Sequence, residues 1–107
     1  MSVYRSSDVH HQVTIVDSAT YDLLFSDHIL GVTYTTTGTV TSLTLPTEQC
    51  ISGRTIIIKD AGGNAGTNNI TVDTEAAQTI DGSATAVMST DYESITLYCD
   101  GSNWFII

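Results

Sequence analysis

Positive charge is nearly missing from this chain. Arg5, Arg54 and Lys59 stand against twelve carboxylates, and the net charge is −9 with histidine neutral. A nucleic-acid binder needs clustered Lys and Arg to neutralise phosphates, so nucleic acid is excluded as a partner. Attraction to anionic lipid fails for the same reason. Charge of either sign is scarce, at 14% of residues against about 25% in an average soluble protein. Proline occurs once, at Pro46. No apolar run approaches the roughly 20 residues of a membrane span, so membrane insertion is not expected. The start, Met1-Ser2-Val3-Tyr4-Arg5, has no apolar signal-peptide core. Release by lysis, assembly into a particle or membership of a longer precursor is the expected route if the protein leaves a cell.

Catalytic signatures are also missing. The chain has no Gly-x-Ser-x-Gly elbow, no phosphate-cradling Gly-x-x-x-x-Gly-Lys loop and no Gly-x-Gly-x-x-Gly turn. Its histidines, His10, His11 and His28, allow many pairings with carboxylates and so single out none. One His per chain on a three-fold axis could build a three-nitrogen metal site. Adjacent strand residues point oppositely, so His10-His11 could offer only one; no metal or other cofactor is expected. Two cysteines, Cys50 and Cys99, are too few for a disulfide framework and match no zinc spacing. They read as buried small hydrophobes, with a mutual disulfide as the alternative.

What the chain has in abundance is hydroxyl: 18 Thr and 11 Ser. Thr suits strands, but strand preference does not explain the missing charges. A surface of neutral hydroxyls and amides fits polar, neutral partners such as glycans. β signals are dense. Thr39–Leu45 alternates, with Thr41, Leu43 and Leu45 on one side, and Ser94–Cys99 alternates likewise. Arg54-Thr55-Ile56-Ile57-Ile58-Lys59 is apolar on both faces. It reads as a central strand, or as one with its core on one side and a neighbouring subunit on the other. Turns fall at Thr37-Gly38, Ser52-Gly53, Asp60–Asn64, Asp81-Gly82 and Asp100-Gly101. Short strands with a turn about every ten residues indicate a sandwich or barrel. The ending Trp104-Phe105-Ile106-Ile107 reads as a buried terminal strand, because fraying would expose Trp and Phe. Residues 1–18 lack a clear pattern apart from a possible strand at Gln12–Val16, and read as a connector to a domain over 19–107.

Several pieces, in order, carry a family resemblance. They are Thr20-Tyr21-Asp22-Leu23-Leu24, Asp27–Val32, Leu45-Pro46, Gly53–Asp60, Gly63-Asn64-Ala65 with Asn68–Val72, Thr79-Ile80-Asp81-Gly82 and Asp100–Trp104. Over about residues 20–107 the chain resembles the small β-rich C-terminal head domains of phage tail fibres and tail spikes, and of fibre proteins of large DNA viruses and virophages. The resemblance implies a non-enzymatic, homotrimeric fibre head on the virion surface, holding three chains together and attaching to a host-surface glycan or protein receptor.

The expected fold is thus an all-β, antiparallel β-sandwich of jelly-roll type with eight to ten strands, assembled as a C3 trimer. Ile56, Ile58 and Trp104 are the expected assembly residues, although Trp104 also reads as core. The loops 60–69 and 81–84 are expected to meet the receptor through Asn64, Asn68, Asn69 and Asp81, joined by the turn residue Tyr92. Arg54 or Lys59 could pair with an acidic residue of a neighbouring subunit, solvated strand ends being the plainer reading. The sequon Asn69-Ile70-Thr71 sits at a strand start, where the Asn side chain serves as a cap. The rival functions are a stand-alone carbohydrate-binding module and a small polysaccharide-cleaving domain.

Overall fold

The computed structural model describes residues 11–107. Nine strands are present among them: β1 (Val13–Val16), β2 (Thr20–Asp22), β3 (Ile29–Val32), β4 (Thr41–Leu45), β5 (Thr55–Asp60), β6 (Ile70–Thr74), β7 (Thr85–Met88), β8 (Ser94–Cys99) and β9 (Trp104–Ile106). They form a two-layer sandwich. Sheet A has the order β1-β3-β5-β8-β9, and sheet B the order β2-β4-β6-β7. The all-β sandwich expected from the alternation is therefore present.

The direction of the strands is not as expected. β1 pairs with β3, β3 with β5, β2 with β4 and β4 with β6, all in parallel. Only β5 with β8, β6 with β7 and β8 with β9 are antiparallel. The sheets are mixed, and a jelly roll, which is antiparallel throughout, does not describe them. The cause is the connections. From β1 to β6 each connection carries the chain across to the other sheet, so strands consecutive in sequence do not pair. Each strand instead meets the one two places earlier, running the same way. Only after β6 do local reversals supply antiparallel partners. Asp81 (φ 50) and Gly82 (φ 84) make the positive-φ turn that Asp-Gly favours, but it closes a bridge between Ile80 and Ser83 rather than two long strands.

Alternation sets the core. In β5, Ile56, Ile58 and Asp60 point inward and Thr55, Ile57 and Lys59 outward. In β4, Thr41, Leu43 and Leu45 point inward, as the sequence pattern indicates. Leu30, Leu97, Val72, Met88 and Trp104 complete the filling from both sheets. Of the ending expected to be buried, Trp104 is core, but Phe105 lies on the outer side and Ile106 and Ile107 are exposed. Two further statements from the sequence are corrected here. Val13–Val16 is a strand of sheet A, so this part of the supposed connector folds with the domain, while residues 1–10 lie outside those described. Ile56, Ile58 and Trp104 have no exposed surface in a single chain, and they belong to its interior rather than to a face that could meet another copy.

Cys50 and Cys99 are joined in a disulfide with Cα atoms 5.4 Å apart. They are not two free hydrophobic thiols. The bridge ties the 3-10 turn at Thr47–Gln49 to the end of β8, and nearby Gly53 N donates to Cys99 O at 2.8 Å. The cysteines are 49 residues apart, and a cross-link of that span constrains the unfolded chain by about 4 kcal/mol. Urea unfolding with and without reductant should show that loss, with Cys99→Ala giving at least as large a drop. Equal midpoints with and without reductant would mean that the bridge adds no stability.

Candidate recognition loops and sheet faces

The loops gather around one buried carboxylate. β5 ends at Asp60, whose inward direction takes it fully out of water. Oδ1 accepts from Thr35 Oγ1 at 2.7 Å and Gly63 N at 3.1 Å. Oδ2 accepts from Ala65 N at 2.9 Å and Tyr92 N at 3.0 Å. Burial pushes the Asp60 carboxyl up, but these donors favour its charged form and outweigh burial, so its pKa lies below the ordinary value. Three segments are held by one side chain: the helical turn Tyr34–Thr37, the 61–69 loop and the turn before β8.

The expected contact residues divide in two. Asn64, Asn68, Asn69 and Tyr92 belong to this loop cluster. Asp81 lies elsewhere, beside β9, where its Oδ1 accepts from Ile106 N at 3.1 Å. The asparagines are half-buried, and their amides serve the fold. Asn64 and Asn68 both donate to Thr35 O, at 2.9 and 2.8 Å. Asn69 donates to Ala65 O at 2.7 Å, the capping role read from its place at a strand start. Tyr92 is different, being 62% exposed at φ 64. Its ring lies on Gly63, where a Cβ would run into it. Asp91 Oδ1 beside it accepts from Gly66 N at 2.9 Å. Of Tyr34, Tyr92, Tyr98 and Trp104, Tyr92 is the one presented to solvent. Trp104 is core, Tyr34 packs on the core, and Tyr98 stacks on Phe105 with ring centroids 5.3 Å apart.

Both described cations are used within the chain. Lys59 Nζ donates to Tyr92 O. The Arg54 guanidinium donates to Gln49 Oε1, Leu24 O and Asp27 O, and lies over the Phe25 ring. Burial lowers the Arg54 pKa and nearby Asp27 opposes the shift. Asp27 is itself buried and accepts from Thr14 Oγ1, Tyr21 OH and Leu24 N, at 2.7, 2.8 and 2.8 Å. Burial first, then the hydrogen bond to Asp27 and its charge, pushes the Tyr21 phenol up to about 12. His11 stacks on His28 at 4.0 Å between ring centroids. Burial and His11 lower the His28 pKa, against a backbone hydrogen bond at Thr55. His10 lies outside the described residues. Among the described residues no cluster of three His, Cys, Asp or Glu is placed to hold a metal, and no enclosed cavity is present.

The two outer sheet faces are unlike. On sheet B, pairing aligns Thr20, Ser42, Thr71 and Val87 in one row, and Asp22, Thr44, Asp73 and Thr85 in the next. Seven of these eight side chains are hydroxyls or carboxylates. On sheet A, one row runs Val13, Ile29, Ile57, Thr96, and Ile107 N extends it by donating to Thr96 O. The rows beside it hold Ile15, Gly31, Lys59 and Ser94 on one flank, and Thr55, Tyr98 and Phe105 on the other. No carboxylate occurs in these three rows. The sequence reading of residues 54–59 as apolar on both sides includes this face, but of the three isoleucines it is Ile57, and not Ile56 or Ile58, that lies on the outer side.

No protein-family model and no curated relative matches the chain.

Asp60→Asn keeps the shape but turns an NH2 group toward donors, and should cost roughly 1–3 kcal/mol at neutral pH. The lowered pKa makes the wild-type contribution full above the unfolded carboxylate pKa, and it is lost as pH falls through the folded one. Urea midpoints of wild type and Asp60→Asn should therefore converge in acid. A gap that stays constant with pH would show that the charge of Asp60 is not what stabilises.

Proposed function

We propose that this domain is the C-terminal head of a viral fibre, a non-enzymatic homotrimer on the virion surface that holds three chains together and attaches to a host-surface glycan or protein. The contrast between the two outer sheet faces carries the reading. One face carries Val13, Ile15, Ile29, Ile57, Tyr98 and Phe105 among Thr, Ser and one Lys, with no Asp or Glu, and suits contact between chains, and the other presents Thr, Ser and Asp to water. Val13 and Ile15 lie more than half exposed side by side on that sheet. The disulfide fits the oxidising surroundings of a particle outside the cell. The resemblance to fibre heads supplies the trimer and the attachment role, and Tyr92 on its pinned loop is the contact residue that the geometry favours.

A stand-alone carbohydrate-binding module is the second reading, favoured by the same exposed Tyr92 beside Asp91. Light scattering after size exclusion at two concentrations separates them. A mass near three times 11.4 kDa at both is expected of the fibre head, and a single-chain mass at both overturns the assembly. On a glycan array, Tyr92→Ala should weaken any binding by about tenfold or more while leaving the mass unchanged. Binding unaffected by the change would remove Tyr92 from the contact surface.

A further inference from the structure

We infer that the outer face of sheet A is the surface on which copies of this chain meet, three such faces packing around a common axis. The inference rests on the assembly half of the reading above and gives it a location. It places contact on Val13, Ile15, Ile57 and Phe105, and not on Ile56, Ile58 or Trp104, which are interior.

Three observations converge on a second copy as the occupant. The first is exposure. Val13 is 54% and Ile15 60% exposed on the edge strand β1, and Ile107 is 72% exposed at the far side of the same row. Apolar side chains therefore occupy β1, β3 and β5 of this row and its far end, with Thr96 of β8 between them. The second is shape. Gly31 leaves a dip in β3, and a Cβ built there would lie 3.5 Å from Ile15 Cδ1 and 3.9 Å from Val13 Cγ1. The two aliphatic side chains thus lean over the glycine and level the face, and a level sheet face packs well on another.

The third is charge. The whole chain carries −9, so two copies repel wherever carboxylates face one another. The three rows of this face hold none, and their one cation, Lys59, is engaged with Tyr92 O at the margin. A basic partner would be drawn to Asp22 and Asp73 on the opposite face. An anionic lipid surface or nucleic acid would find too few cations here. A second copy is the partner for which a carboxylate-free face is an advantage.

Ile15→Glu and Val13→Glu place a carboxylate on this face at positions already exposed to water, and Val87→Glu does the same on the outer face of sheet B at a matched 53% exposure. Mass is read by light scattering on the full chain, and urea unfolding shows which variants remain folded. Expected are a three-chain mass for wild type and Val87→Glu, and a shift to single chains, or at least tenfold weaker association, for both β1 variants. A wild-type assembly that survives both β1 substitutions overturns this face and leaves the trimeric reading standing. Single chains for wild type at both concentrations overturn the two together. A two-chain wild type split by Ile15→Glu supports the face and overturns the three-fold arrangement. If Ile15→Glu alone unfolds, Val13→Glu decides.

Discussion

Asp60 is the point from which the upper end of this sandwich is organised. A carboxylate with no exposure would destabilise the fold heavily if its oxygens went unpaired. Here each oxygen accepts two hydrogen bonds, and the donors come from three separate stretches of chain. Thr35 belongs to the helical turn that carries the chain from sheet A to sheet B. Gly63 and Ala65 belong to the loop that makes the next crossing in the same direction, from β5 to β6, and Tyr92 to the turn that returns the chain as β8. The two crossings and the return are thereby fixed relative to the end of the central strand. The exposure of Tyr92 depends on this: its backbone is anchored by Asp60, Lys59 holds its carbonyl, and its ring rests on a glycine. An aromatic side chain fixed in this way loses little freedom when something binds to it.

The disulfide and Arg54 play the corresponding part at the other end of β5. Cys50–Cys99 closes the 3-10 turn against β8, and the guanidinium joins the segment after β2 to the strand through Leu24 O and Asp27 O. Both ends of the central strand are therefore held by specific polar or covalent ties, while its middle is held by packing. That division suits a small domain with parallel crossings. Parallel pairing brings together strands far apart in sequence and carries a larger loop-closure cost than a hairpin. A bridge that shortens the unfolded chain offsets part of that cost.

How much of this could be read in the sequence follows from what side-chain period reports. Alternation in Thr41-Ser42-Leu43-Thr44-Leu45 identifies a strand and its inner face, and the structure agrees. The same period of two belongs to parallel and antiparallel strands alike, so the pattern is silent on direction, and the Asp-Gly turns suggested hairpins throughout. The crossings are set by Thr35, Asn64 and Asn68, polar residues whose partners are distant in sequence. Asp60 before Ala-Gly-Gly-Asn reads as the start of a turn, and nothing local marks it as buried. The cysteines gave no framework because two of them, 49 residues apart, fit several situations equally well. For the loops expected to meet a receptor, composition singled out Asn64 and Tyr92 together, but it could not tell amides spent on the fold from a ring left exposed.

Ile56-Ile57-Ile58 places core and outer-face side chains in immediate succession. Three identical side chains in succession carry no period, so the sequence names a strand apolar on both sides without saying which residues lie on which side. The pairing resolves it: Ile56 faces Leu97 and Ile58 faces Ile95 in the interior, while Ile57 aligns with Ile29 and Thr96 outside. A one-residue slip of β5 would exchange the sets, leaving one isoleucine for the core and two outside. Asp60 and the disulfide at its ends prevent the slip, since a shifted strand would draw the carboxylate off its donors and turn it toward the outer face. In the reading proposed here, the polar ties that fix the loops also keep the self-association face free of carboxylates, because the register that buries Asp60 is the register that presents Ile57.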